Sequence, residues 1–220
     1  AKDVADRCVI ATESEEVAYA VRKGGAEAVL TSPEHPSGTD RVAEAASLGE
    51  YATYDTILNV QGDEPFIAAD AVRAALDMIS GVFSIGTAAV QASPAILNEP
   101  NIVKVVTATD GRALYFSRAP IPFARDIRGG DAGDAVLREN VYQHIGVYAY
   151  TREALRRWVE LPPHPLERIE KLEQLRPLAA GWAIGVGRLQ AHGPLRRGID
   201  TESDLAQANS EWTVFSGEPA

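Results

Sequence analysis

Two acidic positions open the chemical reading of this chain. Asp63 lies in NVQGDEPFI (59 to 67), where an apolar strand-like run ends, Gly62 permits a sharp turn, and Gln61, Asp63 and Glu64 emerge together. Open α/β sheets bind ligands at the carboxyl ends of their strands. A hard cation such as Mg2+ needs only one or two protein carboxylates when phosphate oxygens and water complete its shell. The same residues also suit an ordinary strand-to-helix turn with solvated acids. Asp200, in RRGIDTESDL (196 to 205), stands just before a helical stretch, an N-cap-like place that needs no further role. If it meets Asp63 at the sheet edge, the two carboxylates make one Mg2+ site.

Cationic and neutral candidates lie further along the chain. In ALYFSRAPIPFAR (113 to 125), Arg118 comes just after a strand and Arg125 lies beyond two prolines. Each guanidinium fork can bind a carboxylate or phosphate in bidentate fashion, although single surface arginines are common. His144, in QHIGVYAY, shares a strand face by alternation with Tyr142, Gly146 and Tyr148. A lone strand histidine is more often a hydrogen-bonded structural residue than a catalyst. HPSGTDRVAEAA (35 to 46) reads as a helix start capped by Ser37 or Thr39, with Gly38 for backbone freedom; the same backbone also suits a nucleotide base. LERIEKLEQLR (166 to 176) reads as an amphipathic helix with Leu166, Ile169, Leu172 and Leu175 inward, leaving Glu173 and Gln174 solvated.

Composition narrows what these groups can serve. The chain has 220 residues, 45% hydrophobic and 24% charged, enough to bury roughly 70% of its unfolded surface without metal or disulfide staples. Lys plus Arg number 21 against 31 Asp plus Glu, a formal net charge of −10, which argues against a nucleic-acid binder, since phosphate neutralisation needs a basic stripe. An anionic substrate must therefore be held by a few placed arginines or by a metal. Cys8 stands alone, which excludes a disulfide framework and a Cys-rich zinc site and points to a reducing, cytoplasmic setting. No apolar run approaches the roughly 20 residues of a membrane span, so a soluble protein is expected.

The elements that must hold these groups alternate. CVIAT (8 to 12), EAVLT (27 to 31) and TILNV (56 to 60) read as strands. Helices are expected over 13 to 23, with Val17, Ala20 and Val21 inward, over 39 to 48 and over 69 to 79. This is the signature of a mostly parallel α/β sheet with helices on both faces. SIGTAAV and IVKVVTA add strands, Asp110-Gly111 marks a hairpin into ALYF, and VYQHIGVYAY (141 to 150) is another strand. The glycine-rich, charged segment 124 to 139 reads as a surface loop. Helices are expected again over 151 to 160 and 165 to 175, the latter ending before Pro177; then come a strand in 182 to 189 and a closing helix over 200 to 210, with Thr201 and Asp204 as a capping box and a fraying SGEPA tail. The chain reads as a single domain over 1 to 220. Residues 1 to 80 hold the alternating βα units, 81 to 199 the later strands and helices, and 200 to 220 the closing helix and tail.

Taken together and in order, SGTDR, NVQGDEPFI, NIVKVV, ALYFSRAPIPF, HIGVYAY, PLERIEKLEQLR and GIDTESDL closely resemble the CMP-Kdo synthetase family, the 3-deoxy-manno-octulosonate (Kdo) cytidylyltransferases. The likeness runs from about Arg7 to Leu205 and implies a nucleotidyltransferase (Rossmann-like) architecture, with 1 to 80 as the nucleotide-side units and 81 to 199 as a sugar-binding and dimer-forming part. It also implies cytidylyl transfer from CTP to Kdo, releasing pyrophosphate, for lipopolysaccharide biosynthesis. By this resemblance Asp63 and Asp200 would hold Mg2+. Gln61, Arg118, Arg125, His144, Tyr148, Glu173 and Gln174 would line the Kdo pocket, and Ser37, Gly38 and Thr39 would face the nucleotide. A homodimer is expected from the resemblance and from the apolar, aromatic strand 141 to 150. The family begins with a strand, a basic glycine-rich loop and a helix that grip the triphosphate, and AKDVADRCVIAT corresponds to the family's segment just C-terminal to that unit. The chain as it stands is accordingly expected to bind Kdo weakly and to transfer poorly. The competing expectations are a related CTP-dependent enzyme acting on sialic acid or a methylerythritol phosphate, and a catalytically silent binding or assembly homologue.

Overall fold

The computed structural model describes residues 4–125, 131–190, 198–199 and 201–216. In chain order these form β1 (Val9–Thr12), α1 (Glu15–Lys23), β2 (Glu27–Leu30), α2 (Gly38–Ser47), β3 (Thr56–Val60), α3 (Ala69–Ile79), β4 (Ile85–Gln91), β5 (Lys104–Thr107) and β6 (Ala113–Ser117). Next come α4 (Asp131–Asn140), β7 (Tyr142–Thr151), α5 (Arg152–Val159), α6 (Pro165–Glu170), α7 (Leu175–Ala179), β8 (Gly185–Leu189) and α8 (Glu202–Ser216). The mixed α/β architecture expected from the sequence is present, but the sheet is not mostly parallel: parallel pairing is confined to β1–β2 and β4–β8 among the described strands, because β7 runs against its neighbours and β5 joins β6 through a hairpin rather than a helical crossover. The long strand β7 runs antiparallel to β3, β4 and β5, and β5 is antiparallel to β6 through the Asp110-Gly111 hairpin.

β7 organises the core because its side chains alternate between two faces. Tyr148 and Tyr150 point to one side, where they pack with Ile85, Leu155 and Trp158, while Val147 and Ala149 point to the other, against Ala71, Val72, Ala75 and Ala88. The apolar residues of 141 to 150 are therefore absorbed by this chain's own core, and they supply no surplus surface for a partner. Gly86 shows how closely α3 lies on the sheet: a Cβ there would sit 2.1 Å from the Ala75 carbonyl oxygen.

Four local readings are corrected. The inward face of α1 is Ala18, with Val17 and Ala20 exposed, because that helix covers only the narrow β1–β2 pair. The segment read as a loop over 124 to 139 contains α4, whose backbone helix outweighs its glycines and charges; residues 126–130 lie outside the described residues. The single helix over 165 to 175 is two, broken where Lys171 adopts a left-handed φ of 55°. Leu172 and Leu175 are buried as expected, but Ile169 is 76% exposed. Pro177 lies inside the first turn of α7, where an N–H has no helical acceptor to lose. The Thr201–Asp204 capping box forms as expected, with Thr201 N donating to Asp204 Oδ2 at 2.8 Å and Asp204 N to Thr201 Oγ1 at 3.2 Å. The GEPA end of the expected fraying tail falls outside the described residues.

β1 and β2 form a two-stranded sheet apart from the larger one. Between β1 and β3 lies a groove of about 360 Å3, lined by Val9, Ala11, Ile57 and Leu58 and closed by Ala45 and Ala46 of α2. Among the described residues no backbone ladder joins β1 to β3.

Candidate active site

The polar candidates converge where the N-terminus of α2, the carboxyl end of β3, the middle of β7 and the turn before α7 meet. Ser37 caps α2, its Oγ accepting from Asp40 N at 3.3 Å and donating to Asp40 Oδ2 at 2.6 Å. Thr39, one position past Gly38, is fully buried. Its hydroxyl donates to Glu173 Oε1 at 2.9 Å and lies 3.4 Å from the Tyr150 hydroxyl. The Gln61 side chain runs between two glycines: a Cβ at Gly38 would lie 3.3 Å from its Oε1, and a Cβ at Gly146 would lie 3.4 Å from its Cγ. The absence of a side chain at both positions leaves the Gln61 amide room to face into the site.

His144 and Tyr148 share a face as alternation requires, with ring centroids 5.4 Å apart, and Phe116 meets the imidazole edge-on at 5.1 Å. Thr87 Oγ1 donates its single proton to Val147 O at 2.7 Å and lies 2.8 Å from His144 Nε2. The imidazole must therefore carry its hydrogen on Nε2 and donate to Thr87. Burial pushes the His144 pKa down to about 3, so the ring is neutral at physiological pH and acts as a fixed hydrogen-bonding wall. Burial also raises the Tyr148 phenol well above its ordinary value, with Tyr150 and Glu173 adding to the shift. Tyr150 is raised as well, by burial first and then by Glu173. Both phenols stay protonated as donors. Gln174 is buried beside Glu173.

Among the described residues, two buried polar atoms of this region, Asn59 Nδ2 and Glu173 Oε2, have no hydrogen-bond partner within bonding distance. Such orphans cost about 1–3 kcal/mol each, and a polyhydroxylated ligand offers both the acceptor and the donor that they lack.

Asp63 lies in the turn after β3, and its carbonyl accepts from Ile199 N at 2.8 Å. Gly198 packs against the same turn, with a Cβ position 3.2 Å from Asp63 O and 3.6 Å from Glu64 Oε1. The chain immediately before residue 200 is thus tied to the Asp63 turn; Asp200 itself lies outside the described residues. Among the described residues no cluster of three or more His, Cys, Asp or Glu forms a metal cage. A single carboxylate at the Asp63 turn is a donor of the kind Mg2+ takes, one or two carboxylates being enough when phosphates and water complete its octahedron.

The arginines are placed unequally. The Arg118 guanidinium donates to backbone carbonyls through two of its nitrogens: Nε to Glu170 at 2.9 Å, and Nη1 to Pro100 at 3.1 Å and Asn101 at 3.4 Å. The hairpin and the α6 end close around it, which fits its fork to the main chain. Arg125 ends the first described stretch, beyond the Pro-containing turn, with its N–H donating to Phe123 O at 3.1 Å. Sequence reasoning passed over Asn59, Thr87 and Tyr150. The alternation used for His144 and Tyr148 also reaches Tyr150, and Asn59 and Thr87 are polar breaks in otherwise apolar strands.

Comparison with known proteins agrees with this fold. A model of the cytidylyltransferase family matches residues 1–184, which sets the class: a nucleotidyltransferase that handles a cytidylyl group. A 3-deoxy-manno-octulosonate cytidylyltransferase of Gemmatimonas aurantiaca is 55% identical over 213 residues, covering 96% of this chain and 80% of that protein. The Idiomarina loihiensis enzyme of the same name is 42% identical over 91% of this chain and 79% of its own length. The solved structure of a CMP:2-keto-3-deoxy-manno-octonic acid synthetase complexed with CTP superposes with a TM-score of 0.81 at 34% identity, covering 95% of this chain and 81% of that one. The chain belongs to the 3-deoxy-manno-octulosonate cytidylyltransferase family.

Proposed function

We propose that this protein transfers the cytidylyl group of CTP to Kdo, giving CMP-Kdo and pyrophosphate, the activated sugar serving lipopolysaccharide assembly in the cytoplasm. The observation that carries the reading is the 55% identity to an enzyme of that name along 96% of the chain; the Thr39–Glu173–Tyr150 polar cluster then supplies a fitting acceptor pocket.

In the reaction the anomeric 2-hydroxyl of Kdo attacks the α-phosphorus. A phosphorus–oxygen bond to the acceptor forms as the bond to pyrophosphate breaks, and the hydroxyl proton leaves to solvent. Such displacements ask the protein mainly for alignment and charge neutralisation. Gln61, Glu173, Gln174 and the neutral faces of His144 and Tyr148 are proposed to orient the sugar, and Arg125 to face its carboxylate. Arg118 acts from behind the pocket wall. The N-terminus of α2, at Ser37, Gly38 and Thr39, is proposed to face the nucleotide, where unpaired helical N–H groups favour acceptors. Asp63 and Asp200 are proposed to hold Mg2+, which when bound lowers the acceptor hydroxyl's pKa and offsets phosphate charge. A homodimer is proposed from the family and from Phe123, which is 79% exposed beside the Pro-containing turn. A 23.6 kDa species by sedimentation would contradict it.

The test is pyrophosphate release from CTP with Kdo, sialic acid and methylerythritol phosphate offered in turn, alongside calorimetric Kdo binding. Release with Kdo alone is expected. Release with another acceptor alone would overturn the acceptor assignment, and Kdo binding without release from any acceptor would point to a silent binding homologue.

A further inference from the structure

Lys104 has no exposed surface, yet it sits on strand β5 in the middle of an apolar run. Its Nζ donates to the carbonyls of Glu99 at 3.0 Å, Ile102 at 2.8 Å and Arg118 at 2.5 Å, so all three ammonium donors are used on main chain. Taking an ammonium out of water costs several kcal/mol even after relaxation. An apolar side chain could fill the same volume, but it would leave three carbonyls unpaired. Burial accordingly lowers the Lys104 pKa, and the Arg118 charge acts in the same direction.

The contacts continue outward. Arg118, whose carbonyl Lys104 holds, sends Nε to the Glu170 carbonyl at 2.9 Å. The Glu170 carboxylate answers by accepting from Ser117 Oγ at 2.6 Å and Arg118 N at 2.9 Å. Three turns are thus locked together: 99–102, the exit of β6, and the C-terminus of α6. Glu170 is followed by the left-handed Lys171 and then by Leu172, Glu173 and Gln174. On the far side of that turn Arg176 is tied to Glu167, Nε to Oε2 at 2.9 Å. The position of Glu173 against Thr39 therefore depends on where Glu170 is held.

We propose that Lys104, Arg118 and Glu170 form a positioning clasp that sets Glu173 and Gln174 in the acceptor pocket, acting on the sugar through those residues. The inference rests on the reading that Glu173 lines the acceptor site, so Glu173→Gln is the reference variant.

The experiment measures KM for Kdo and for CTP, kcat, and melting temperature for Lys104→Met, Arg118→Lys, their double variant and Ser117→Ala. Folded Lys104→Met and Arg118→Lys should each raise the Kdo KM about 10-fold or more with the CTP KM nearly unchanged. The double variant should be little worse than the more severe single one, because both open the same clasp. Ser117→Ala should give a smaller shift in the same direction. If Lys104→Met fails to fold, Arg118→Lys and Ser117→Ala carry the test. Equal rises in both KM values, or an unchanged Kdo KM in folded variants while Glu173→Gln raises it, would overturn the clasp and leave the pocket standing. No effect of Glu173→Gln would overturn the pocket reading and the clasp with it.

Discussion

Thr39 and Glu173 meet across 2.9 Å, joining the first turn of α2 to the turn before α7. The bond links the part of the site proposed to face the nucleotide to the part proposed to face the acceptor. Glu173 Oε2 has no partner among the described residues, so Oε1 is the oxygen that fixes the carboxylate.

Thr39→Val keeps the shape of the side chain and removes the donor. It leaves a second buried carboxylate oxygen unpaired, at a cost of about 1–3 kcal/mol. The melting temperature should fall and the Kdo KM should rise about 10-fold, whereas Thr39→Ser should restore most of both. Steady-state kinetics beside thermal melts check this; an unaltered Kdo KM in Thr39→Val would mean that the bond does not shape the pocket.

Asp63→Asn is isosteric and removes one negative charge from the turn tied to Ile199. Turnover should drop about 100-fold or more, the scale of several kcal/mol of lost transition-state stabilisation. Mg2+ dependence of the residual rate should move to higher concentration. A metal titration of the rate in wild type and variant decides it, and an unchanged midpoint would remove Asp63 from the metal's shell.

His144 predicts the shape of acid destabilisation. Its folded pKa of about 3 lies below the ordinary histidine value of 6.5. The unfolded chain therefore takes up a proton that the folded chain refuses, and stability present above the unfolded value is lost as pH falls toward the folded one. The slope from this one group reaches about 1.4 kcal/mol per pH unit. Denaturant unfolding of wild type and His144→Gln between pH 7 and 4 should show the wild-type curve falling more steeply. Parallel curves would show that the imidazole is free to protonate in place.

Gly86→Ala tests the approach of α3 to β4. The new Cβ would fall 2.1 Å from the Ala75 carbonyl oxygen, a backbone atom that cannot rotate aside. A loss of about 1–3 kcal/mol or more is expected from overpacking, with no change in KM for the protein that remains folded. Denaturant midpoints measure it; a neutral outcome would mean that the helix can lift from the sheet.

Much of this architecture was legible because strand and helix periods are local. TILNV became β3 and 69 to 79 became α3 without change, and the alternation about His144 placed Tyr148 correctly. What sequence could not supply was context from elsewhere in the chain. Ile169 has helical spacing but nothing lying over it, and the break at Lys171 depends on Glu167 and Arg176 closing behind it. The carbonyls that gather around Arg118 come from residues 100, 101 and 170, which no local pattern about Arg118 reveals. The segment 131–140 was hidden by composition, since helical backbone bonding tolerates charged residues that periodicity counts against a packed element.

The groove between β1 and β3 has a consequence for how the molecule breathes. With no ladder crossing it among the described residues, the β1–β2 pair is held by side chains to α2 and the turn that follows it. Arg7, just before β1, donates to Glu50 O at 3.2 Å, and Arg41 of α2 donates to Thr31 Oγ1, just after β2, at 2.7 Å. Among the described residues such ties can release without unzipping β7, so the β1–β2 pair should open at lower cost than the larger sheet. Their amides should exchange with solvent deuterium through local openings, while those of β7 wait for global unfolding. Helix α2, which bridges the two units and carries Thr39, sits on the boundary between the early- and late-exchanging halves.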